Sequence, residues 1–154
     1  MGLLDRFRRR AAPPIAYADD GSLTLLLTAV DPARADSAVL AEAAAAGVDL
    51  DRPLLVRHHI IGLPDDAAVA RAGHLLGQDG YALTRLGGPP YAVRAWRTQV
   101  LTVLSASQER SRMAGLAQRL GGDVAGYDVL GPMAPDPGAQ PGPVAPPDGL
   151  PGRH

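Results

Sequence analysis

The chain of 154 residues is long enough for one compact domain with tails, and its 46% apolar content can supply a core. A formal net charge of −1 gives no overall attraction to nucleic acid, and the absence of cysteine excludes disulfides, thiolate catalysis and cysteine-bound metal centres. All the basic residues are arginine, which together with the excess of alanine, glycine and proline is typical of a GC-rich bacterial genome.

Residues 1–20 are predicted to be a flexible basic tail. The start, MGLLDRFRRR, could place leucine and phenylalanine on one side of a helical turn and arginine around the rest, which suits an anionic membrane surface or a partner. A frayed, solubilising terminus is the simpler interpretation, because ten residues make a marginal helix in water. No apolar run approaches the ~18 residues of a membrane span, and none follows the arginines as in a secretory signal. We therefore expect a cytoplasmic protein.

One strand and one helix are predicted before the main body of the chain. The apolar run 22–30 is short for a helix and predicts a buried strand. Asp31-Pro32 has the composition of a helix start, an N-cap followed by proline in the first turn. The alanine-rich stretch that follows predicts a helix ending at Gly47, because glycine adopts the left-handed conformation that commonly ends a helix.

The stretch 54–130 repeats one order of elements, strand, helix, strand, on either side of a Gly-Gly-Pro-Pro turn at 87–90. In the first half, the run 54–63 is the strongest strand prediction, and Asp65 or Asp66 can cap the helix after it. In the second half, a long strand from Tyr91 to about residue 104 requires a bulge near Gln99 to reconcile its two parts.

Local signals mark the start and the end of the helix in this second half. Ser105 and Gln108 have the spacing of a capping box at the helix start. Gly121-Gly122 ends the helix, and 124–130 forms the last strand.

The order of elements predicts an α+β two-layer sandwich spanning 21–131, preceded by the basic tail. Residues 132–154 are rich in proline and glycine and are predicted to be disordered, because they cannot offset the entropy of ordering by burial.

No constellation in the sequence has the form of a catalytic or metal site. His58 and His59 are neighbours in a strand, so they point to opposite faces and cannot bind one metal ion together. One is expected in the core and the other on the open face of the sheet. Serines lack a nucleophile motif, and the paired aspartates are explained by capping and turns. We therefore predict no enzyme activity, no metal and no cofactor.

A basic and aromatic group of residues is the best candidate for a binding surface. Arg94 and Trp96 share one face of the long strand, and in a two-layer sandwich the sheet face away from the helices can be exposed. The candidate partner-binding surface consists of Arg57, His59, Arg94, Trp96 and Arg97. Tryptophan and arginine are common anchors in protein interfaces, and they also suit the stacking of single-stranded RNA. Alternatively, Trp96 is the large aromatic residue of the core, with solvated arginines at its edge.

Short motifs along residues 36–131 resemble those of a known family. The matching positions are Gly47, Asp49 and Leu50 in a turn, Val56 and His58 in a strand, Gly80 and Tyr81, and finally Gly121, Gly122 and Gly126. Val48, Val124 and Ala125 depart from the pattern, and Tyr127 stands where tryptophan is usual. This stretch resembles the regulator of ribonuclease activity B family, whose members inhibit ribonuclease E.

The resemblance implies a ferredoxin-like βαββαβ fold, here with an extra N-terminal strand and helix, in agreement with the order of elements. It implies structural roles for Gly47, Asp49, His58, Gly121, Gly122, Gly126 and Tyr127. It also implies a non-catalytic regulator that binds a protein partner involved in RNA degradation, such as a ribonuclease. Direct binding of nucleic acid is not expected, because the aromatic RNA-binding signature is missing. The alternative is a ferredoxin-like module for a small ligand or for self-association as a homodimer.

Overall fold

The longest apolar strand of the chain is the middle strand of an antiparallel sheet in the computed structural model, which describes residues 14–133. Five strands and three helices alternate within this range. In chain order they are β1 (Thr24–Ala29), α1 (Asp36–Ala45), β2 (Leu54–Leu63), α2 (Asp66–Gly77), β3 (Ala82–Arg85), β4 (Tyr91–Gln99), α3 (Val103–Arg119) and β5 (Asp123–Gly131).

The strands lie in the order β1-β5-β2-β4-β3, and every neighbouring pair is antiparallel. Strands β2 to β5 with α2 and α3 form the βαββαβ unit, in which each helix connects two strands that have another strand between them. Strand β1 extends the sheet beside β5. The predicted α+β sandwich with an additional N-terminal strand and helix is confirmed.

Two apolar clusters fill the space between the helices and one face of the sheet. The cluster under α1 includes Val39, Leu40, Val56, Tyr127 and Val129. The cluster under α2 and α3 includes Ile60, Leu76, Val93, Met113 and Leu116. Alanine lines both clusters where large side chains are absent, as the low aromatic content predicts.

The predicted ends of the helices are largely confirmed. The Asp65 carboxylate accepts a hydrogen bond from the Ala68 amide (2.8 Å) and caps α2. Gly47 and Gly121 lie two residues beyond the last residue of α1 and of α3, and each helix end has the pair of backbone hydrogen bonds typical of a Schellman motif.

Three local predictions were wrong. Helix α1 begins at Asp36 and not near Asp31, because the Asp31 carboxylate accepts a hydrogen bond from the Ala33 amide and closes a turn instead. Strand β4 ends at Gln99 without a bulge there, and the chain then leaves the sheet. The cap of α3 is Thr102, which forms a reciprocal capping box with Ser105, so the box lies three residues earlier than predicted.

Gly126 allows strand β1 to approach β5 closely. Its φ is +113°, and a Cβ atom there would lie 2.2 Å from the Ala29 carbonyl oxygen. The pairing of β2 with β5 also shifts register at this point, between His59 and Ile60. The glycine that the family resemblance places here therefore lies where a side chain would collide with the neighbouring strand.

The predicted division of the chain into tail, domain and tail remains a prediction, since residues 1–13 and 134–154 lie outside the described range. Tyr17 and Asp19, which the predicted N-terminal tail includes, hydrogen bond to the sheet. None of the helices in residues 14–133 has the length and apolar character that a membrane crossing requires.

Candidate functional site

The sheet face away from the helices carries a group of charged side chains. Because side chains alternate along a strand, His58 and Ile60 enter the core while Arg57 and His59 lie on the opposite side. The register places Arg57 between Trp96 of β4 and Asp128 of β5. We call this surface the open face and define it by Thr28, Arg57, His59, Arg94, Trp96 and Asp128.

Asp128 is the centre of the hydrogen bonding on the open face. Its carboxylate accepts hydrogen bonds from Thr28 Oγ1 (3.2 Å) and from Arg57 Nη2 (2.8 Å), and it lies 2.6 Å from His59 Nε2. Burial by itself raises the pKa of Asp128, but the hydrogen bonds from His59 and Arg57 outweigh burial and lower the pKa to about 2. The carboxylate is therefore ionised at neutral pH and holds β1 and β2 to β5.

A second carboxylate reaches the open face from outside the sheet. Asp19 Oδ1 accepts a hydrogen bond from Arg57 Nη1 (2.8 Å), and Asp19 Oδ2 lies 3.7 Å from Arg94 Nη1. The nearby Tyr17 amide donates to Thr98 Oγ1 on β4 (2.7 Å). Tyr17 and Asp19 thus hold this segment against the sheet, and the Asp19 side chain is only 5% exposed.

Trp96 belongs to the open face and to neither core cluster. It is half-buried, and its Nε1 donates a hydrogen bond to Thr84 Oγ1 on the neighbouring strand β3 (3.0 Å). The alternative in which Trp96 is the large aromatic residue of the core is therefore wrong.

The structure brings together four of the five residues of the predicted binding surface, and Arg97 is the exception. Arg97 lies one residue after Trp96, so strand alternation directs it toward the helices. Its Nη2 donates to Glu109 Oε1 (2.8 Å), and its guanidinium carbon lies 4.3 Å from the centre of the Tyr81 ring. Arg97 therefore contributes to the packing of α3 and not to the open face.

A polar cluster that the sequence did not predict lies beneath α3. The buried Glu109 carboxylate lies 3.2 Å from His58 Nε2 and accepts hydrogen bonds from Gln99 and Arg97. Burial by itself raises the pKa of Glu109, but these hydrogen bonds outweigh it and lower the pKa. Glu109 precedes the buried Met113 by four residues, so its place in the apolar stripe of the helix was the available signal.

A second buried carboxylate, Asp36, connects α1 to the sheet and to α3. The Tyr127 hydroxyl donates to Asp36 Oδ1 (3.0 Å), and Arg110 of α3 forms an ion pair with the same oxygen. Burial and the nearby Asp36 carboxylate raise the pKa of Tyr127, so its hydroxyl remains protonated at neutral pH. The Tyr127 ring lies 5.6 Å from the His58 ring, which places two of the family-motif residues in contact within the core.

These ionisable groups bond to one another. Each histidine of the neighbouring pair contacts its own carboxylate, His58 with Glu109 and His59 with Asp128, on opposite faces of β2. In the part of the chain that the structure describes, no three histidine, aspartate or glutamate side chains are grouped to hold a metal ion. The arrangement holds the elements together and presents charge on the open face, which suits recognition of a charged partner.

Comparison with protein families identifies the domain. The family model described as regulator of ribonuclease activity B matches residues 33–129. Comparisons with curated proteins and with solved structures gave no match. The matched stretch begins before α1 and ends within β5, so it includes the whole βαββαβ unit apart from the last residues of β5. Since the match covers more than half of the chain, this protein belongs to the regulator of ribonuclease activity B family.

Proposed function

We propose that this protein is a non-catalytic, cytoplasmic regulator of the ribonuclease E inhibitor type, acting by binding a protein partner involved in RNA degradation. The observation that carries the proposal is the family match over residues 33–129. The family description concerns regulation of a ribonuclease, and regulation by a small domain requires contact with the enzyme or with a protein bound to it.

The open face is the surface we propose for this contact. It combines one half-buried tryptophan with two arginines, and these residue types carry much of the binding energy in protein interfaces. The helices cover the other face of the sheet, where Arg97 is held by Glu109. Arg94 is the most accessible charged residue of the group, with 33% of its side chain exposed.

The buried ionisable residues support a structural role over a catalytic one. The side chains of His58 and Glu109 are 3% and 10% exposed and contact each other, so substrate has no direct access to either. His59 contacts an aspartate that also forms an ion pair with Arg57. Groups held in this way stabilise the fold and orient the exposed residues beside them.

Pull-down from native lysate tests the proposal, with Trp96→Ala and Arg94→Ala as variants and Arg71→Ala as the matched control. Arg71 is exposed on α2, on the opposite side of the sheet. We expect the native protein and the control to recover a ribonuclease and to slow its cleavage of RNA. Loss of an anchor residue costs on the order of 2 kcal/mol, so we expect each variant to bind about 30-fold more weakly.

Recovery of no ribonuclease and no ribonuclease-associated protein would contradict the proposal. Equal recovery by the native protein and both variants would instead exclude the open face as the contact surface. Light scattering of the purified protein adds an independent outcome. A dimer that Trp96→Ala dissociates would show that the open face serves self-association, which is the alternative function.

A further inference from the structure

The segment 14–20, which we call the N-terminal strap, occupies part of the open face. Its Asp19 carboxylate lies between the guanidinium groups of Arg57 and Arg94, at 2.8 Å and 3.7 Å. The strap lies before the stretch that the family model matches, which begins at residue 33. Apart from Thr28, the residues of the open face therefore lie within the matched stretch, whereas the strap comes from the preceding part of this chain.

The contact between the strap and the face leaves hydrogen-bonding capacity unused. Within residues 14–133, Arg57 Nε, Arg94 Nε and Asp19 Oδ2 are buried without a hydrogen-bond partner. A guanidinium group can bind a carboxylate through two parallel hydrogen bonds, but Arg57 gives Asp19 only one, and Arg94 is beyond hydrogen-bond distance. A carboxylate placed differently could use these donors more fully than Asp19 does.

The charge of the face without the strap is positive. Apart from His59, it then contains the guanidinium groups of Arg57 and Arg94 against the single carboxylate of Asp128. The Trp96 Nε1 is already bonded to Thr84, and the ring is half-buried, which suits a flanking contact better than the stacking of a base. Charge and geometry therefore favour a carboxylate from an acidic protein segment over a nucleic acid.

We propose that the N-terminal strap is an internal occupant of the partner-binding face, with Asp19 in the place that a carboxylate of an acidic partner segment takes on binding. The inference rests on the proposed function, because it assigns the chemistry of the partner to the same face. Binding then requires displacement of the strap. If the strap is closed in about 90% of molecules, it lowers the apparent affinity for such a segment about tenfold.

A labelled hexaglutamate peptide tests this on the full chain, with hexaglutamine as the uncharged comparison. Asp19→Asn removes the competing carboxylate, and Asp20→Asn is the matched control, since Asp20 is exposed and accepts a hydrogen bond from the Ser22 amide in the adjacent turn. We expect Asp19→Asn to bind hexaglutamate about tenfold more tightly than the native chain and the control. We also expect saturating peptide to speed hydrogen exchange of the Tyr17 amide, which the bond to Thr98 protects in the closed state.

Thr98→Val provides a second variant that leaves every charge in place. It removes the acceptor for the Tyr17 amide, so it should also raise the affinity for hexaglutamate. This variant tests the proposal if Asp19→Asn folds poorly. Unchanged or weaker hexaglutamate binding by the folded variants would overturn the proposal, as would undiminished protection of the Tyr17 amide with peptide bound. Tighter binding of hexauridylate than of hexaglutamate would overturn the assignment of the partner as an acidic protein segment.

The pull-down separates this inference from the proposed function. If Asp19→Asn strengthens peptide binding but neither it nor the native chain recovers a ribonuclease, the strap inference holds and the proposed function fails. If both chains recover a ribonuclease equally and bind the peptide equally, the proposed function holds and the strap inference fails.

Discussion

At the scale of single residues, Asp128 has the widest reach of any side chain on the open face. It lies on β5 and bonds to Thr28 on β1 and to Arg57 and His59 on β2, so one carboxylate connects three strands. Its pKa is lowered from 3.8 to about 2, which means that the folded protein favours the ionised form more strongly than the unfolded chain does.

We expect stability to fall with acidification in the pH range set by this shift. A carboxyl group with a lowered pKa stabilises the folded state at pH values above the pKa of the unfolded chain. This contribution to stability is lost as the pH falls from about 5 to about 2. Asp128→Asn should lower the free energy of unfolding at pH 7 by about 2 kcal/mol and make its decrease toward pH 3 shallower. Urea unfolding followed by circular dichroism at both pH values measures this difference.

Asp123→Asn is the control for that experiment, because Asp123 is exposed on the same strand. It should unfold like the native protein at both pH values. Glu109, whose pKa is also lowered, remains in both variants and retains part of the acid sensitivity. A native-like pH profile for Asp128→Asn would contradict the central position that we assign to this carboxylate.

The sequence predicted the sharing of a face by Arg94 and Trp96 and the separation of His58 from His59, because alternation along a strand decides both. The same rule places Arg97 on the helix side of the sheet, so the predicted binding surface should not have included it. Asp128 and Asp19 could not be placed on the open face from the sequence, since the register between distant strands and the path of the strap bring them there.

At the scale of elements, Glu109 attaches α3 to the two central strands. It reaches His58 on β2 and Arg97 and Gln99 on β4 from one position of the helix. Three hydrogen-bonding partners around one buried carboxylate contribute more to folding stability than a single exposed ion pair does. The position of α3 over the sheet therefore depends on charge as well as on apolar packing.

We expect Glu109→Gln to destabilise the protein by about 1–3 kcal/mol, because the charged hydrogen bonds are lost and Arg97 keeps a partly buried positive charge. Glu42→Gln is the matched control, since Glu42 of α1 pairs with Arg34 at the exposed surface and should change stability by less than about 1 kcal/mol. Chemical denaturation measures both variants. Equal losses in the two variants would show that the cluster under α3 contributes no more to stability than the exposed pair does.

The elements were predicted where one local signal dominates. The bounds of β2 follow from a ten-residue run that Pro64 ends, and α2 from the cap at Asp65. Errors arose where two signals compete. The Asp31 side chain closes a turn, although aspartate followed by proline also suits a helix start. The end of β4 was missed because four of residues 100–104 are apolar, although the chain leaves the sheet after Gln99 and Thr102 caps α3.

At the scale of the whole molecule, β1 covers the edge of β5, which the stretch matched by the family model would by itself leave exposed. The match begins at residue 33, whereas β1 pairs with β5 from Thr24 to Ala29 and brings Leu27 into the core. Without β1, the backbone groups on that side of β5 would lack partners. An exposed strand edge is a template for pairing with another chain.

We expect a chain that lacks residues 1–30 to self-associate and to lose stability, because the edge of β5 and the residues under Leu27 become exposed. A chain that lacks only residues 1–13 is the control, since it retains Tyr17, Asp19 and β1. Light scattering after size-exclusion chromatography distinguishes the two. If the chain that lacks residues 1–30 were monomeric and as stable as the control, β1 would be dispensable to the family domain.

The two histidine–carboxylate pairs lie on opposite sides of β2, and among residues 14–133 they share no side-chain partner. Substitutions within one pair are coupled through its own hydrogen bonds, whereas the two pairs have no shared partner through which substitutions would couple. The requirements of folding and those of recognition can therefore diverge within one strand. A lineage can exchange the residues around His59 to follow a changing partner, while the residues around His58 continue to specify the same architecture.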